Sequence, residues 1–244
     1  MGSTRESPQQ FTMEINPERA RFRWREADAY LFDIDGTLLL SPDRTHRYAL
    51  HRALLEIYDV ETTIDGIPYH GKTDPGILRA ALERLNVPTE VIDSRMPAAL
   101  EIVRRDAKEK AERFRPSVLP GTRELLAFLK DAGKLLGICS GNIEAVAWLK
   151  LKAAGLDGHF EFGCFADDCE LRVDVFRKGM GEVGRRLNAA ARVCFIGDTP
   201  EDVRAAQRVG GRIIAVGTGI FKVEDLAAHG PDAAVATCTE LLSQ

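Results

Sequence analysis

Four short stretches of the chain are apolar at almost every position: Ala29-Tyr30-Leu31-Phe32, Leu135-Leu136-Gly137-Ile138-Cys139, Val193-Cys194-Phe195-Ile196 and Ile213-Ile214-Ala215-Val216. A strand with one wet face alternates apolar and polar residues, whereas a strand covered on both faces need not. These runs, read as 29–33, 134–139, 192–196 and 212–216, therefore predict buried strands with helices on either side. Between them, apolar positions recur at helical spacing over 121–132, 142–154, 173–187 and 201–209, the second closing at Gly155 and the last at Gly210-Gly211. Strand and helix in alternation predict an α/β fold built on a parallel, doubly wound sheet.

From 41 to 117 that rhythm stops. The pattern there gives helical segments over 44–58, 74–86 and 88–114 and no buried strand, which reads as an all-helical insertion into a core formed by 28–40 and 118–244. Ligands of open α/β sheets bind beyond the carboxyl ends of the strands, so an insertion placed straight after the first strand would roof the site. Residues 1–27 show neither period and are expected to form a loose or peripheral extension.

Composition narrows the function classes. With 244 residues, 45% of them hydrophobic, 29% charged and a formal net charge of -4, the chain is an ordinary globular one with no nucleic-acid signal. Its five cysteines lie scattered without the close spacing of a zinc site or redox motif, so they read as reduced, mostly buried thiols. No apolar run is long enough to span a bilayer, and residues 1–27 lack a signal-peptide core. The expectation is a cytoplasmic protein without membrane or nucleic-acid partners.

The candidate chemistry sits where strands end. Asp33-Ile34-Asp35-Gly36-Thr37 closes the first strand with carboxylates at i and i+2, which extended backbone points the same way. Two like charges together need a cation or a shared proton, and hard oxygen ligands suit magnesium. A plain Asp-Gly turn would give the same string. The second strand ends at Ser140-Gly141-Asn142, a hydroxyl and backbone N–H groups at a helix start, which suits phosphate oxygens or simple N-capping. The third ends Gly197-Asp198-Thr199-Pro200-Glu201-Asp202, where acidic residues also favour the helix dipole. Capping explains each singly, but not why three strands finish with carboxylate or hydroxyl groups at one sheet edge.

Asp33-x-Asp35-Gly36-Thr37-Leu38, Ser140-Gly141-Asn142, a basic residue near 172 and Gly197-Asp198-Thr199-Pro200-x-Asp202 resemble, in order and rough spacing, the motifs of the haloacid-dehalogenase-like hydrolase superfamily. The resemblance spans residues 28 to about 242, and the helical interval 41–117 lies where that family inserts its first-type helical cap. It implies a phosphatase, similar to phosphoglycolate phosphatases, acting on a small phosphorylated metabolite with Mg2+ as cofactor. Asp33 would be the nucleophile and Asp35 the general acid and then base. Ser140 would donate to the transferring phosphoryl group. Asp33, the Asp35 carbonyl and Asp198 would hold magnesium, with Asp202 close behind.

Two residues compete for the basic motif, Arg172 and Lys178, and the separation from Asp198 favours Arg172; the more familiar Lys-Pro string is absent. Thr37, Gly141, Asn142 and, from the cap turn His70-Gly71-Lys72-Thr73-Asp74-Pro75, Lys72 and Thr73 are the candidate substrate contacts, the cap pair weighed against a turn with Thr73 or Asp74 as N-cap. His46, on a charged helix, reads as a surface residue that keeps a phosphomutase alternative open. A dehalogenase would not need Asp35. A phosphonate-cleaving enzyme would need a cap lysine, for which Lys72 is the candidate. A catalytically silent binding module is expected to lose one of Asp33, Asp35, Ser140 or Asp198, and all four are present.

Overall fold

The computed structural model describes residues 23–243. Six parallel strands form one sheet in the order β5-β4-β1-β6-β7-β8: β1 (Ala29–Phe32), β4 (Leu135–Cys139), β5 (Phe162–Cys164), β6 (Val193–Gly197), β7 (Arg212–Val216) and β8 (Ala233–Val235). Alternate residues of the four inner strands enter different cores. Tyr30, Phe32, Leu136, Ile138, Cys194, Ile196, Ile214 and Val216 pack with helices α4 (Thr122–Asp131), α5 (Glu144–Ala154) and α9 (Cys238–Leu242). Ala29, Leu31, Leu135, Cys139, Val193, Phe195, Ile213 and Ala215 pack with α6 (Arg172–Arg186), α7 (Pro200–Arg208) and α8 (Val223–Ala227). This two-sided burial is the physical reason the strand sequences run apolar without alternation.

The strands β5 and β8 were not legible as runs. Phe162-Gly163-Cys164 and Ala233-Ala234-Val235 are three residues each and lie in the outer positions of the sheet, too short for a period. Two further strands, β2 (Leu39–Leu40) and β3 (Ser117–Val118), pair antiparallel. Between them the chain runs through α1 (Thr45–Tyr58), α2 (Asp74–Glu83) and α3 (Thr89–Glu109), so it leaves and re-enters the sheet layer along one narrow ribbon.

Those three helices share their own apolar cluster, in which Leu50, Leu54, Leu78, Leu82, Leu100 and Val103 are buried together with Ile143 and Val146 from the start of α5. Helix α5 is thus apolar on two sides: it faces the sheet through Ala147 and Leu151 and the three-helix layer through Ile143 and Val146. All five cysteines are free and buried. Among the described residues no helix is long and apolar enough to cross a membrane.

The expected loose extension needs correction over its last residues. Residues 24–26 form a 3-10 turn whose Trp24 is buried against Tyr30 and Phe128, and the Tyr30 hydroxyl donates to the Trp24 carbonyl. A large ring finds more stabilisation in that gap than in water. Residues 1–22 lie outside the described part.

Candidate active site

The sheet reverses its winding at β1, which is flanked by β4 and β6, and ligands of such sheets bind beyond the carboxyl ends of the strands at that reversal. Asp33 follows β1, with its N–H extending the ladder to the Ile196 carbonyl (2.9 Å); Ser140 follows β4 and Asp198 follows β6. Asp33, Asp198 and Asp202 are all buried and can bring carboxylate oxygens within 4.8 Å of one another.

Among the described residues one cation, Arg172, meets this group. It opens α6 and is itself buried; Nη2 lies 2.8 Å from Asp33 Oδ1 and 2.7 Å from Asp202 Oδ1 as ion pairs, and Nε donates an aligned hydrogen bond to Asp202 (2.8 Å). Lys178, the competing candidate, pairs with Asp168 two turns further along the same helix instead. Asp202 has little left to offer. Its Oδ2 accepts from Thr199 N (3.1 Å) and Thr199 Oγ1 (2.7 Å), closing the capping box of α7.

Asp198 is braced differently: Thr37 Oγ1, itself fully buried, donates to its Oδ1 (2.9 Å). Thr37 therefore stands behind a carboxylate. The other face of Asp198 is kept clear by glycine, since a Cβ on Gly36, where φ is +86°, would lie 2.2 Å from Oδ2, and one on Gly219 would lie 1.8 Å from it.

Three buried carboxylates against one guanidinium leave an excess of negative charge. Burial outweighs the pull of Arg172 and, with repulsion from Asp202 and Asp35 added, pushes the Asp33 carboxyl up to about 6. Burial and the charges of Asp33 and Asp202 push Asp198 well above the ordinary carboxylate range. Hard oxygens, uncompensated charge and a glycine-cleared approach fit a small divalent cation such as Mg2+.

Asp35 does not join that cluster with its side chain. Strand β1 stops at Phe32, so the i, i+2 rule of extended backbone no longer aims Asp35 with Asp33. Its carboxylate instead accepts from Lys150 Nζ (2.6 Å) and Asn142 Nδ2 (2.8 Å), both on Oδ2. Burial works to raise its pKa, but Lys150 and Asn142 overcome it and hold Asp35 below the usual value. Asn142 Nδ2 also donates to Ser140 Oγ (2.7 Å), which links Ser140 to Asp35 through one amide.

The turn at 70–75 meets the core at Gly141. The Gly141 carbonyl accepts from Asp74 N (2.7 Å), and Asp74 Oδ2 accepts from Ile143 N (2.8 Å). Thr73 caps α2 by accepting from Gly76 N (3.1 Å) and donates to the Glu170 carbonyl (2.6 Å), so its hydroxyl serves the capping alternative. Arg79 holds the Glu170 carboxylate at both oxygens (2.5 and 2.6 Å). Lys72 has an exposed side chain, while its carbonyl lies against Gly141.

His46 is not the surface residue its charged helix suggested: it is 14% exposed, between Asp74 and Lys150. Lys150 escaped sequence reasoning altogether. A signal was present, because 143, 146, 147, 150, 151 and 154 form one i, i+3, i+4 stripe of buried residues and Lys150 is the charged member.

The sequence pattern of the haloacid dehalogenase-like hydrolase family matches residues 30–216. The chain is 29% identical over 219 residues to the probable phosphatase IndB of Dickeya dadantii, covering 87% of this chain and 90% of that protein. In fold it is similar to a predicted phosphatase from Clostridium acetobutylicum (TM-score 0.66, 22% identity, 89% of this chain and 97% of the other). CbbY from Rhodobacter sphaeroides, solved in complex with phosphate, is similar to the same degree (TM-score 0.66, 20% identity, 88% and 96%).

Proposed function

Because the chain belongs to the haloacid dehalogenase-like hydrolase family, we propose that it is a magnesium-dependent phosphatase that hydrolyses small organic phosphate monoesters through a phosphorylated Asp33. The observation that carries this reading is the convergence of Asp33, Asp198, Asp202 and Arg172 beyond the ends of β1 and β6, with Ser140 and Asp35 joined beside them through Asn142.

Asp33 and Asp198, with the Asp35 carbonyl, would hold Mg2+, and Asp202 supports Arg172 behind them. The bound cation would offset the repulsion between the Asp33 carboxylate and an incoming phosphate. An Asp33 oxygen forms a bond to phosphorus as the ester P–O bond breaks, and the protonated fraction of Asp35 gives its proton to the departing alcohol. Asp35, now ionised, takes a proton from water as that water's oxygen bonds to phosphorus. The bond to Asp33 breaks and phosphate leaves, which returns Asp33 to a carboxylate and Asp35 to its protonated form. Arg172 and Ser140 stabilise the phosphoryl oxygens during both transfers. Helices α1–α3 act as a cap that keeps bulk water from the phosphorylated aspartate and limits substrates to small esters.

The test is phosphate release from a panel of small phosphate esters with and without Mg2+, with Asp33→Asn alongside. Release that needs Mg2+ and falls below about one part in 10³ in the variant is expected. No release from any ester by folded wild-type protein, or full release by Asp33→Asn, would overturn the reading.

A further inference from the structure

Helix α5 carries a lysine in the middle of its packing stripe. Lys150 is 2% exposed, and an ammonium ion is costly to bury unless each of its protons finds an acceptor. Here each does: Nζ lies 2.6 Å from Asp35 Oδ2, 2.9 Å from Asn142 Oδ1 and 3.2 Å from His46 Nδ1. An ammonium can only donate, so His46 accepts at Nδ1 and carries its proton at Nε2, which donates to Asp74 Oδ2 (3.1 Å). Asp74 is fixed in turn by Ile143 N and by its own N–H on the Gly141 carbonyl. A continuous line of polar contacts thus runs from the start of α2, through α1 and α5, to Asp35.

The geometry points to Lys150 as a positioning residue for the phosphatase reaction, an inference that rests on the function proposed above. Lys150 and Asn142 both grip Asp35 at Oδ2, which leaves Oδ1 as the oxygen that exchanges protons with the leaving group and with water. His46 and Asp74 fix the lysine from the cap side, so the placement of the acid and base depends on how the cap is seated.

The substrate that tests this is p-nitrophenyl phosphate, whose leaving group departs without an acid, set against an alkyl phosphate, whose leaving group needs one. With p-nitrophenyl phosphate, Lys150→Met is expected to give a burst of about one p-nitrophenolate per active site, then turnover slowed about 10²-fold, because only the step using Asp35 as base is impaired. With the alkyl ester both steps slow and no burst appears. In an Asp35→Asn background, Lys150→Met should cost nothing more, since both changes act through one carboxylate.

Equal losses on both esters without a burst, or a further loss in the Asp35→Asn background, would make Lys150 merely structural and sink the inference. Lys150→Gln and the Asp35→Asn/Lys150→Met double variant serve if the single variant does not fold; failure of all three to fold would also sink it. Wild-type turnover abolished by Asp33→Asn but unchanged by Lys150→Met would refute this inference alone, whereas no wild-type turnover would refute the phosphatase reading beneath it.

Discussion

A single methyl group at Gly141 should separate cap from core. A Cβ at that position would lie 2.3 Å from the Lys72 carbonyl oxygen and 3.1 Å from Arg172 Nη1. Carbon and carbonyl oxygen settle at roughly 3.3 Å or more, so Gly141→Ala forces a shift of about 1 Å. The oxygen belongs to backbone and cannot rotate aside as a side chain would. Gly141 itself needs no left-handed conformation, so the cost falls on the seam. A displacement of about 1 Å at a site that depends on closure is worth about 10²-fold in rate, or ~2.7 kcal/mol of transition-state stabilisation. The assay is kcat/KM for a small ester, with thermal unfolding in parallel and Gly158→Ala as the control, because a Cβ at Gly158 meets nothing within 4 Å. Gly141→Ala with kcat/KM within about twofold of wild type would refute the closed seam as the working arrangement.

The basic residue can be settled by exchange: Arg172→Ala should lower kcat/KM by about 10²–10³-fold, and Lys178→Ala, which loses only a half-exposed pair with Asp168, should stay within about twofold. The reverse order would mean that the geometry around Asp33 is not the one used in catalysis. Stability should report on Asp106, a buried carboxylate of α3 held by Lys110 (2.6 Å) and by Arg52 of α1 (2.7 Å). Burial acts to raise its pKa, but Lys110 and Arg52 prevail and lower it, so its contribution is present above the unfolded value near 4 and fades as pH falls through the lower folded value. Asp106→Asn should therefore cost ~1–3 kcal/mol in urea unfolding at pH 7, with the deficit shrinking below about pH 4; a deficit independent of pH would contradict the assignment.

What the sequence disclosed follows from how strongly each feature is forced. The four inner strands are buried on both sides, and that demand is written into nearly all of their residues. Phe162–Cys164 and Ala233–Val235 stabilise the sheet with three residues apiece, and three residues carry no period. The site followed the same division. Asp33, Ser140 and Asp198 end strands, and strand ends are visible in the hydrophobic pattern; Arg172 starts a helix at a readable distance from them. Lys150 was missed, and His46 read as a surface residue, because their meaning depends on contacts across 104 positions, and a lone lysine in a helix is ordinarily solvated. Asp35 shows the limit of a local rule, since the spacing that should have aimed it alongside Asp33 lost its force where the strand ended.

Helix α5 supplies both the floor of the three-helix layer and part of the sheet's own cover, through Ile143 and Val146 on one side and Ala147 and Leu151 on the other. The three-helix layer is consequently not a detachable module. Cutting at the β2–β3 ribbon would strip Ile143 and Val146 of their neighbours and leave an apolar scar on the core. A graft of a foreign helical layer onto this core, or of this one elsewhere, would have to carry the outer surface of α5 with it.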